Sequence, residues 1–96
     1  MIRVMVRSEY VEVSGHANYA ESGKDIVCAA VSALTFTLLY SLESLSEDLV
    51  SATMNEGHMK IEIKNVSERG KLLIDSFFIG TTAIAREYGE KYIQIQ

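Results

Sequence analysis

The sequence predicts an α+β fold, a two-layer sandwich in which two helices lie on a mainly antiparallel sheet, with the element order β-β-α-β-β-α-β. Three observations predict it. The chain has 96 residues, of which 48% are apolar, enough for a single domain, 1–96, with a buried core. Stretches that alternate with period two lie at both ends and in the middle, and two long segments with helical spacing separate them. The short connections favour antiparallel neighbours and helices that cover the same face.

Two strands open the chain. Ile2, Val4 and Val6 recur at every second position, the pattern of a strand with one buried face. After a short turn, the alternation returns from Tyr10 to Ser14, which predicts the second strand. Residues 15–24 then show no periodicity and are bounded by glycines and small residues, so they are predicted to form a loop.

A long apolar helix follows the loop. Asp25 is a favourable N-cap and opens a helix that continues to about Ser46. Seventeen residues without a charge, Ile26–Leu42, approach the shortest length that spans a membrane. Four serines and threonines interrupt this stretch and no basic cluster flanks it, so we expect a buried helix and no membrane partner.

The second half of the chain continues with a hairpin, a helix and a last strand. The predicted strands are Leu49–Met54, Met59–Lys64 and Lys91–Gln96. Gly57 supplies a positive φ in the predicted hairpin turn, residues 55–58. Ser67 can cap the second helix, and Gly89 stands where a glycine ends helices.

The first helix has more apolar surface than one sheet can cover. A helix that is apolar nearly all round must also be covered on the side away from the sheet. The second helix covers part of it, and a symmetric partner is the natural source of the rest. We therefore expect a homodimer through helices, with Phe36, Leu39 and Tyr40 as candidate contacts.

Charge and cysteine content exclude several classes of protein. Nine basic and thirteen acidic residues give a net charge of −4, which disfavours direct nucleic-acid binding. The single cysteine excludes an intramolecular disulfide and suits a reducing compartment, and no signal region is visible, so we expect a cytoplasmic protein. One cysteine and two histidines show no ligand spacing, so neither a metal nor another cofactor is expected.

One cysteine and one histidine are candidates for catalysis. Cys28 falls in the first turn of the helix, where free backbone N–H groups and the macrodipole favour a thiolate. His16, twelve residues upstream at the end of the second strand, could accept the thiol proton and pass it to a leaving amine. The simpler interpretation is a small buried cysteine and a polar surface histidine, and composition alone favours it.

Two sequence blocks change that balance. The string GHA at residues 15–17, followed by GKDIVCAAVS at residues 23–32, resembles the signature of the bacterial ribosomal-processing cysteine proteases, the Prp family. The length, the β-β-α start and the YGEKYI ending are also similar to that family. Asn18 and Gly89 depart from its pattern, in the loop and the last turn only.

The resemblance implies a cytosolic cysteine endopeptidase that acts as a homodimer. Its implied substrate is the N-terminal extension of large-subunit ribosomal protein twenty-seven, cut after an apolar, phenylalanine-containing segment and before a small residue and basic residues. Carried onto this sequence, the nucleophile is Cys28 and its base is His16. The remaining signature residues are Gly15, Gly23, Asp25 and Ser32.

Each signature residue also has a physical interpretation. Gly15 allows a sharp turn at the strand end, and Gly23 is either a hinge of a closing loop or a flexible break before the cap. Asp25 caps the helix and, as an alternative, orients His16 as a third catalytic member. Ser32 lies one turn beyond the cysteine on the same helix face, or it bonds back within the helix.

The acids are concentrated in one stretch of the chain, although a solvated helix end accounts for three of them, Glu43, Glu47 and Asp48. Residues 15–48 hold five acids and one base, which accounts for the whole net charge, and this could attract a basic peptide. The loop 17–24 has few bulky apolar groups, so we expect it to be mobile and to close over substrate, with Glu21 towards the basic side of the peptide.

Two other functions stay open at this point. A non-catalytic, ribosome-assembly-associated dimer could bind a basic protein tail with its cysteine merely buried. A redox or acyl-transfer thiol enzyme is the weaker alternative, because no resolving cysteine is present.

Overall fold

The computed structural model describes residues 1–21 and 23–96 and has the predicted order of elements. The strands are β1 (Ile2–Val6), β2 (Tyr10–Ser14), β3 (Leu49–Asn55), β4 (His58–Lys64) and β5 (Ile93–Ile95), and the helices are α1 (Ile26–Leu45) and α2 (Glu68–Tyr88). Ser22, part of the predicted loop, lies outside the described residues. The predicted α+β class is therefore confirmed.

The five strands form one mixed sheet in the order β3-β4-β2-β1-β5. Three of the neighbouring pairs are antiparallel, and β1 with β5 is the parallel pair. The β3–β4 turn is shorter than predicted, because Asn55 pairs with His58 and leaves only Glu56 and Gly57 between the strands. Strand β5 is also shorter than predicted, because the N–H groups of Tyr92 and Ile93 bond the Gly89 carbonyl in a turn after α2.

One face of the sheet forms the core with both helices. Val4, Val11, Ile61 and Ile93 are fully buried on this face, and they pack with apolar side chains of α1 and α2 in one cluster. The intervening strand residues point to the opposite face, which carries charged and polar groups such as Arg3. This alternation is the two-layer arrangement that the period-two pattern predicts.

Helix α1 has a mean hydropathy of 1.7 and is long enough to span a membrane by length and composition alone. In the fold it serves as a core helix, because one side of it is buried between the sheet and α2. The buried side consists of Val27, Val31, Thr35, Leu38, Leu39 and Leu42. Leu39 therefore belongs to the core of its own chain and not to a partner contact, whereas Tyr40 remains 58% exposed.

Candidate active site

Asp25 begins α1 as the sequence predicts. One of its carboxylate oxygens, Oδ1, accepts hydrogen bonds from the backbone N–H groups of Val27 and Cys28, both at 3.0 Å. An aspartate in this position satisfies two of the four N–H groups that a helix start leaves free. The cap thus fixes the backbone of the turn that carries the Cys28 thiol.

The second carboxylate oxygen of Asp25 holds the loop before the helix. Its Oδ2 accepts the backbone N–H of Tyr19 at 3.0 Å and that of Ala20 at 3.5 Å. Desolvation raises the pKa of this carboxyl, but the hydrogen bonds from Cys28, Tyr19 and Ala20 outweigh it and leave the pKa below its ordinary value. Within the described residues no hydrogen bond joins Asp25 to His16, so the carboxylate acts here as a cap and a loop anchor.

The loop itself is packed down at its start. Ala17 is 1% exposed, and the Tyr19 ring meets Tyr88 and Tyr92 edge to face, with centroids 5.4 and 5.1 Å apart. These contacts fasten the first part of the predicted mobile loop to the end of α2. Mobility of the remaining part, around Gly23, stays a prediction.

Cys28 and His16 meet at one cleft. The cleft has a volume of about 240 Å³ and is bordered by both residues and by Ser32, together with apolar side chains from α1, β2 and the β3–β4 hairpin. A second cleft of about 440 Å³ is also bordered by Cys28 and His16, and it includes Gly23. The sequence-predicted site residues are therefore brought together around the two openings.

The sulfur of Cys28 has a backbone partner. The N–H of Ala17, the residue after the histidine, lies 3.3 Å from Cys28 Sγ and points a hydrogen-bond donor at it. Cys28 is only partly buried, and its sulfur lies in the first turn of α1, where the helix dipole favours negative charge. No hydrogen bond links the His16 ring to this sulfur in the described part of the chain, and His16 is exposed at the cleft mouth.

Gly15 places the histidine. Its φ is +89°, and its N–H donates to the Gly57 carbonyl at 2.8 Å. A side chain at this position would collide with the backbone carbonyl oxygen of Met1, so only glycine permits the turn that leads from β2 to His16. The sequence-based interpretation of Gly15 as a sharp turn is consistent with this geometry.

A family comparison decides what kind of protein carries this cleft. The sequence profile described as "Cysteine protease Prp" matches residues 1–94. The chain belongs to the Prp family of cysteine proteases. The protein named ribosomal processing cysteine protease Prp from Bacillus subtilis is 31% identical over 84 residues, which cover 80% of this chain and 75% of that protein. The protein of the same name from Staphylococcus aureus is 29% identical and covers 83% of this chain and 78% of its own.

Solved structures agree with the Prp fold. The S. aureus Prp in complex with a covalently linked product peptide superposes with a TM-score of 0.88 at 24% identity, covering 99% of this chain and 95% of that one. A Streptococcus mutans protein is 35% identical with a TM-score of 0.80, covering 99% and 90% of the two chains. The Prp comparison confirms the α+β topology and the protease class that the two sequence blocks imply.

Two residues of the Prp cleft were not expected from the sequence. His58 falls within the predicted turn, residues 55–58, but it begins β4 and borders the cleft, and its Nε2 lies 2.6 Å from Glu12 Oε2. Gly57 also borders the cleft, next to the His16 ring. The missed signal is the length of the hairpin turn, since a two-residue turn places His58 in a strand and Gly57 at the site.

Proposed function

We propose that this Prp-family chain is the endopeptidase that removes the N-terminal extension of large-subunit ribosomal protein twenty-seven, with Cys28 as nucleophile and His16 as general base. The observation that carries the proposal is the position of Cys28 Sγ, which accepts the Ala17 N–H in a cleft that His16 also borders. The relatives named as ribosomal processing proteases support the substrate.

The chemistry needs only groups that border the cleft. His16 takes the proton of the Cys28 thiol, and the sulfur attacks the scissile carbonyl carbon to form a tetrahedral intermediate. The intermediate collapses to a thioester as His16 returns the proton to the leaving amine. Water, deprotonated by the same imidazole, then hydrolyses the thioester and restores the thiol. The helix dipole and the Ala17 N–H stabilise the sulfur while it carries negative charge.

The first cleft suits the apolar side of the proposed cut. Its walls include Val13, Phe36, Met54 and Met59, and methionine side chains adapt well to an aromatic guest. A phenylalanine of the extension would therefore be buried next to Cys28, which contributes apolar binding energy close to the scissile bond.

The second cleft suits the basic side of the proposed cut. It carries the carboxylates of Asp25 and Glu56. Basic residues after the cut would be attracted to this surface, since opposite charges across a binding site favour association. The two clefts meet at Cys28, where the apolar and basic parts of the extension join.

The experiment is cleavage of a synthetic extension peptide by purified protein, followed by mass spectrometry. The wild type should cut once, before the small residue, and Cys28→Ala should cut nothing while keeping its circular-dichroism spectrum. His16→Ala should lose at least about 10²-fold in rate, as expected for a lost general base. A matched peptide with the phenylalanines changed to serine should be cut poorly. Cleavage by Cys28→Ala at the wild-type rate would overturn the proposal.

The proposal includes a cytoplasmic homodimer. Support for the dimer comes from the helix surface, where Tyr40, Leu72, Phe78 and Ile79 stay between 44% and 69% exposed, more apolar surface than a solvated helix pair usually shows. Support for the location comes from the unpaired thiol of Cys28, which suits a reducing compartment. Sedimentation at micromolar concentration tests the dimer, and cell fractionation with an antibody tests the location.

A further inference from the structure

We infer that Gly57 is a positioning residue for His16, so that the two-residue turn between β3 and β4 belongs to the catalytic machinery. The inference rests on the proposed role of His16 as general base. It adds a residue that neither signature block contains and that acts on the reaction only through the imidazole.

The His16 ring occupies the space that a side chain at Gly57 would fill. A β-carbon built on Gly57 would lie 2.9 Å from His16 Nε2, 3.5 Å from Cε1 and 3.6 Å from Cδ2. Real side chains essentially never approach so closely, because the distance to Nε2 is well inside van der Waals contact. The imidazole therefore packs with its Nε2 edge against bare backbone, and only glycine leaves this room.

The same turn also holds the backbone next to His16. The Gly57 carbonyl accepts the N–H of Gly15 at 2.8 Å, which fixes the residue immediately before the histidine. One turn residue thus sets both where the chain presents His16 and where its ring rests.

The turn is fastened to β2, so it can act as a wall. His58, directly after Gly57, pairs with Ser14 in the antiparallel β2–β4 ladder. The Nε2 of His58 lies 2.6 Å from Oε2 of Glu12, which is also on β2. About two-thirds of each of these two side chains is shielded from solvent. Together with the bond from Gly15 to the Gly57 carbonyl, these contacts hold the wall in place when the ring presses on it.

A side chain at Gly57 must therefore displace the ring. His16 is exposed on its other side, so the imidazole would turn towards solvent and away from Cys28. The cleft walls and the Ala17 N–H on the sulfur would remain, so peptide binding should be preserved. We expect Gly57→Ala to lower kcat at least about tenfold with KM changed less than about threefold, because a displaced general base affects the chemical step.

A double-mutant cycle separates positioning from simple damage. Cleavage rates are measured for the wild type, Gly57→Ala, His16→Ala and the double variant. If Gly57 acts through the imidazole, the double variant is no slower than His16→Ala alone. Losses that multiply would overturn the inference while leaving His16 as the base.

A second readout does not depend on activity. In the free wild-type protein, nuclear Overhauser contacts should join the His16 ring protons to the Gly57 α-protons, and Gly57→Ala should shift the ring resonances. If these contacts are present but His16→Ala is fully active, His16 is not the base, although its ring lies where we infer. Absence of the contacts in the wild type would refute the positioning.

Asn65→Ala is the matched control for backbone strain. Asn65 has φ +55°, close to the +69° of Gly57, so alanine meets a similar left-handed conformation there without approaching His16. We expect Asn65→Ala to lower the melting temperature but leave kcat of the folded protein unchanged. If both variants lose kcat equally at matched stability, strain alone explains Gly57→Ala and the inference fails.

Discussion

Asp25 offers the sharpest test of how the site is built, because one carboxylate holds both the helix start and the loop. Replacing it with alanine removes acceptors for four backbone N–H groups, those of Val27, Cys28, Tyr19 and Ala20. Loss of an aspartate N-cap costs about 1 kcal/mol. The bond from Tyr19 to the same charged group adds about 1 kcal/mol, reduced from its buried value because the site is exposed to solvent.

The expected loss in the free energy of unfolding is therefore about 2 kcal/mol. For a domain of this size each kcal/mol shifts the melting temperature by about 4–8 °C, so Asp25→Ala should melt roughly 8–16 °C below the wild type. The assay is thermal unfolding at neutral pH followed by circular dichroism. A decrease of less than about 2 °C would mean that the carboxylate bonds contribute no net stability, and the cap argument would fail.

The pH dependence of the stability difference between wild type and Asp25→Ala distinguishes loss of the carboxylate from a general packing defect. The folded-state pKa of Asp25 is lowered by its backbone donors, so the ionised carboxylate stabilises the fold above its unfolded pKa of about 3.9. This stability is lost as the pH falls through the still lower folded pKa. The difference between wild type and Asp25→Ala should be constant from neutral pH down to about 5 and shrink progressively below it. A difference that persists undiminished in strong acid would refute the assignment.

Asp25→Asn asks whether the carboxylate also orients the base. Asparagine is an equally good N-cap, and within the described residues the carboxylate makes no hydrogen bond to His16. We expect less than about a tenfold loss of kcat, compared with about 10⁴-fold where an aspartate fixes the tautomer of a catalytic histidine. A loss near that larger value, in a variant that stays folded at the assay temperature, would show that Asp25 contacts the ring during turnover.

Three other outcomes are expected. Iodoacetamide should alkylate Cys28 in the native protein at mildly acidic pH faster than it alkylates free cysteine, and an equal or slower rate measured by mass spectrometry would contradict a stabilised thiolate. Leu39→Glu should unfold the chain, because Leu39 is 7% exposed in its own core, whereas Tyr40→Glu should keep the fold and give a monomer by sedimentation. Hydrogen exchange in the loop 17–24 should slow when the extension peptide is added to Cys28→Ala, with Tyr19 already protected in the free protein. Exchange that is unchanged by peptide would show a fixed wall and not a lid.

The sequence predicts the fold well where the decisive signals are local. Alternation in β1 and β2 and the caps at Asp25 and Ser67 each act within a few residues, and all of them are found in the structure. The orientation of an apolar helix is different, because it depends on where the sheet and the other helix lie. The sequence therefore predicts Leu39 at a partner contact on the helix surface, whereas the structure has it in the core.

Helix α2 also shows that the sequence alone does not fix which apolar residues are buried, but here an apolar residue lies outside the core. Leu72 and Phe77 are both large apolar residues of α2, yet Leu72 is 68% exposed, whereas Phe77 is buried. Positions a few residues apart on a helix can differ by most of a half-turn, and only the sheet position decides which of them is covered. The exposed side chain adds to the surface that we assign to the dimer.

The functional site likewise has a part that local sequence signals predict and a part that they do not. Cys28 could be placed in a first helical turn because the cap, the helix and the thiol are all within four residues. The cleft wall opposite Cys28 could not be placed from the sequence, because it depends on the register of β2 and β4, which are separated by more than forty residues. Once Ser14 pairs with His58, however, the rest follows from topology. The residues after the end of β2 and those before the start of β4 must lie side by side.

That topology explains why a hairpin turn and the proposed catalytic histidine meet. His16 lies two residues beyond β2 and Gly57 one residue before β4, at the same end of the same antiparallel pair. A slip of this pair by two residues would keep every apolar side chain on its own face, because side chains alternate with period two. It would nevertheless move Gly57 by about 7 Å along the strand and away from the imidazole. The slip would therefore keep the alternation of faces but would break the site. The bond from Gly15 to the Gly57 carbonyl and the Glu12–His58 contact both hold the register at this end. They therefore support the proposed position of His16 as well as the fold.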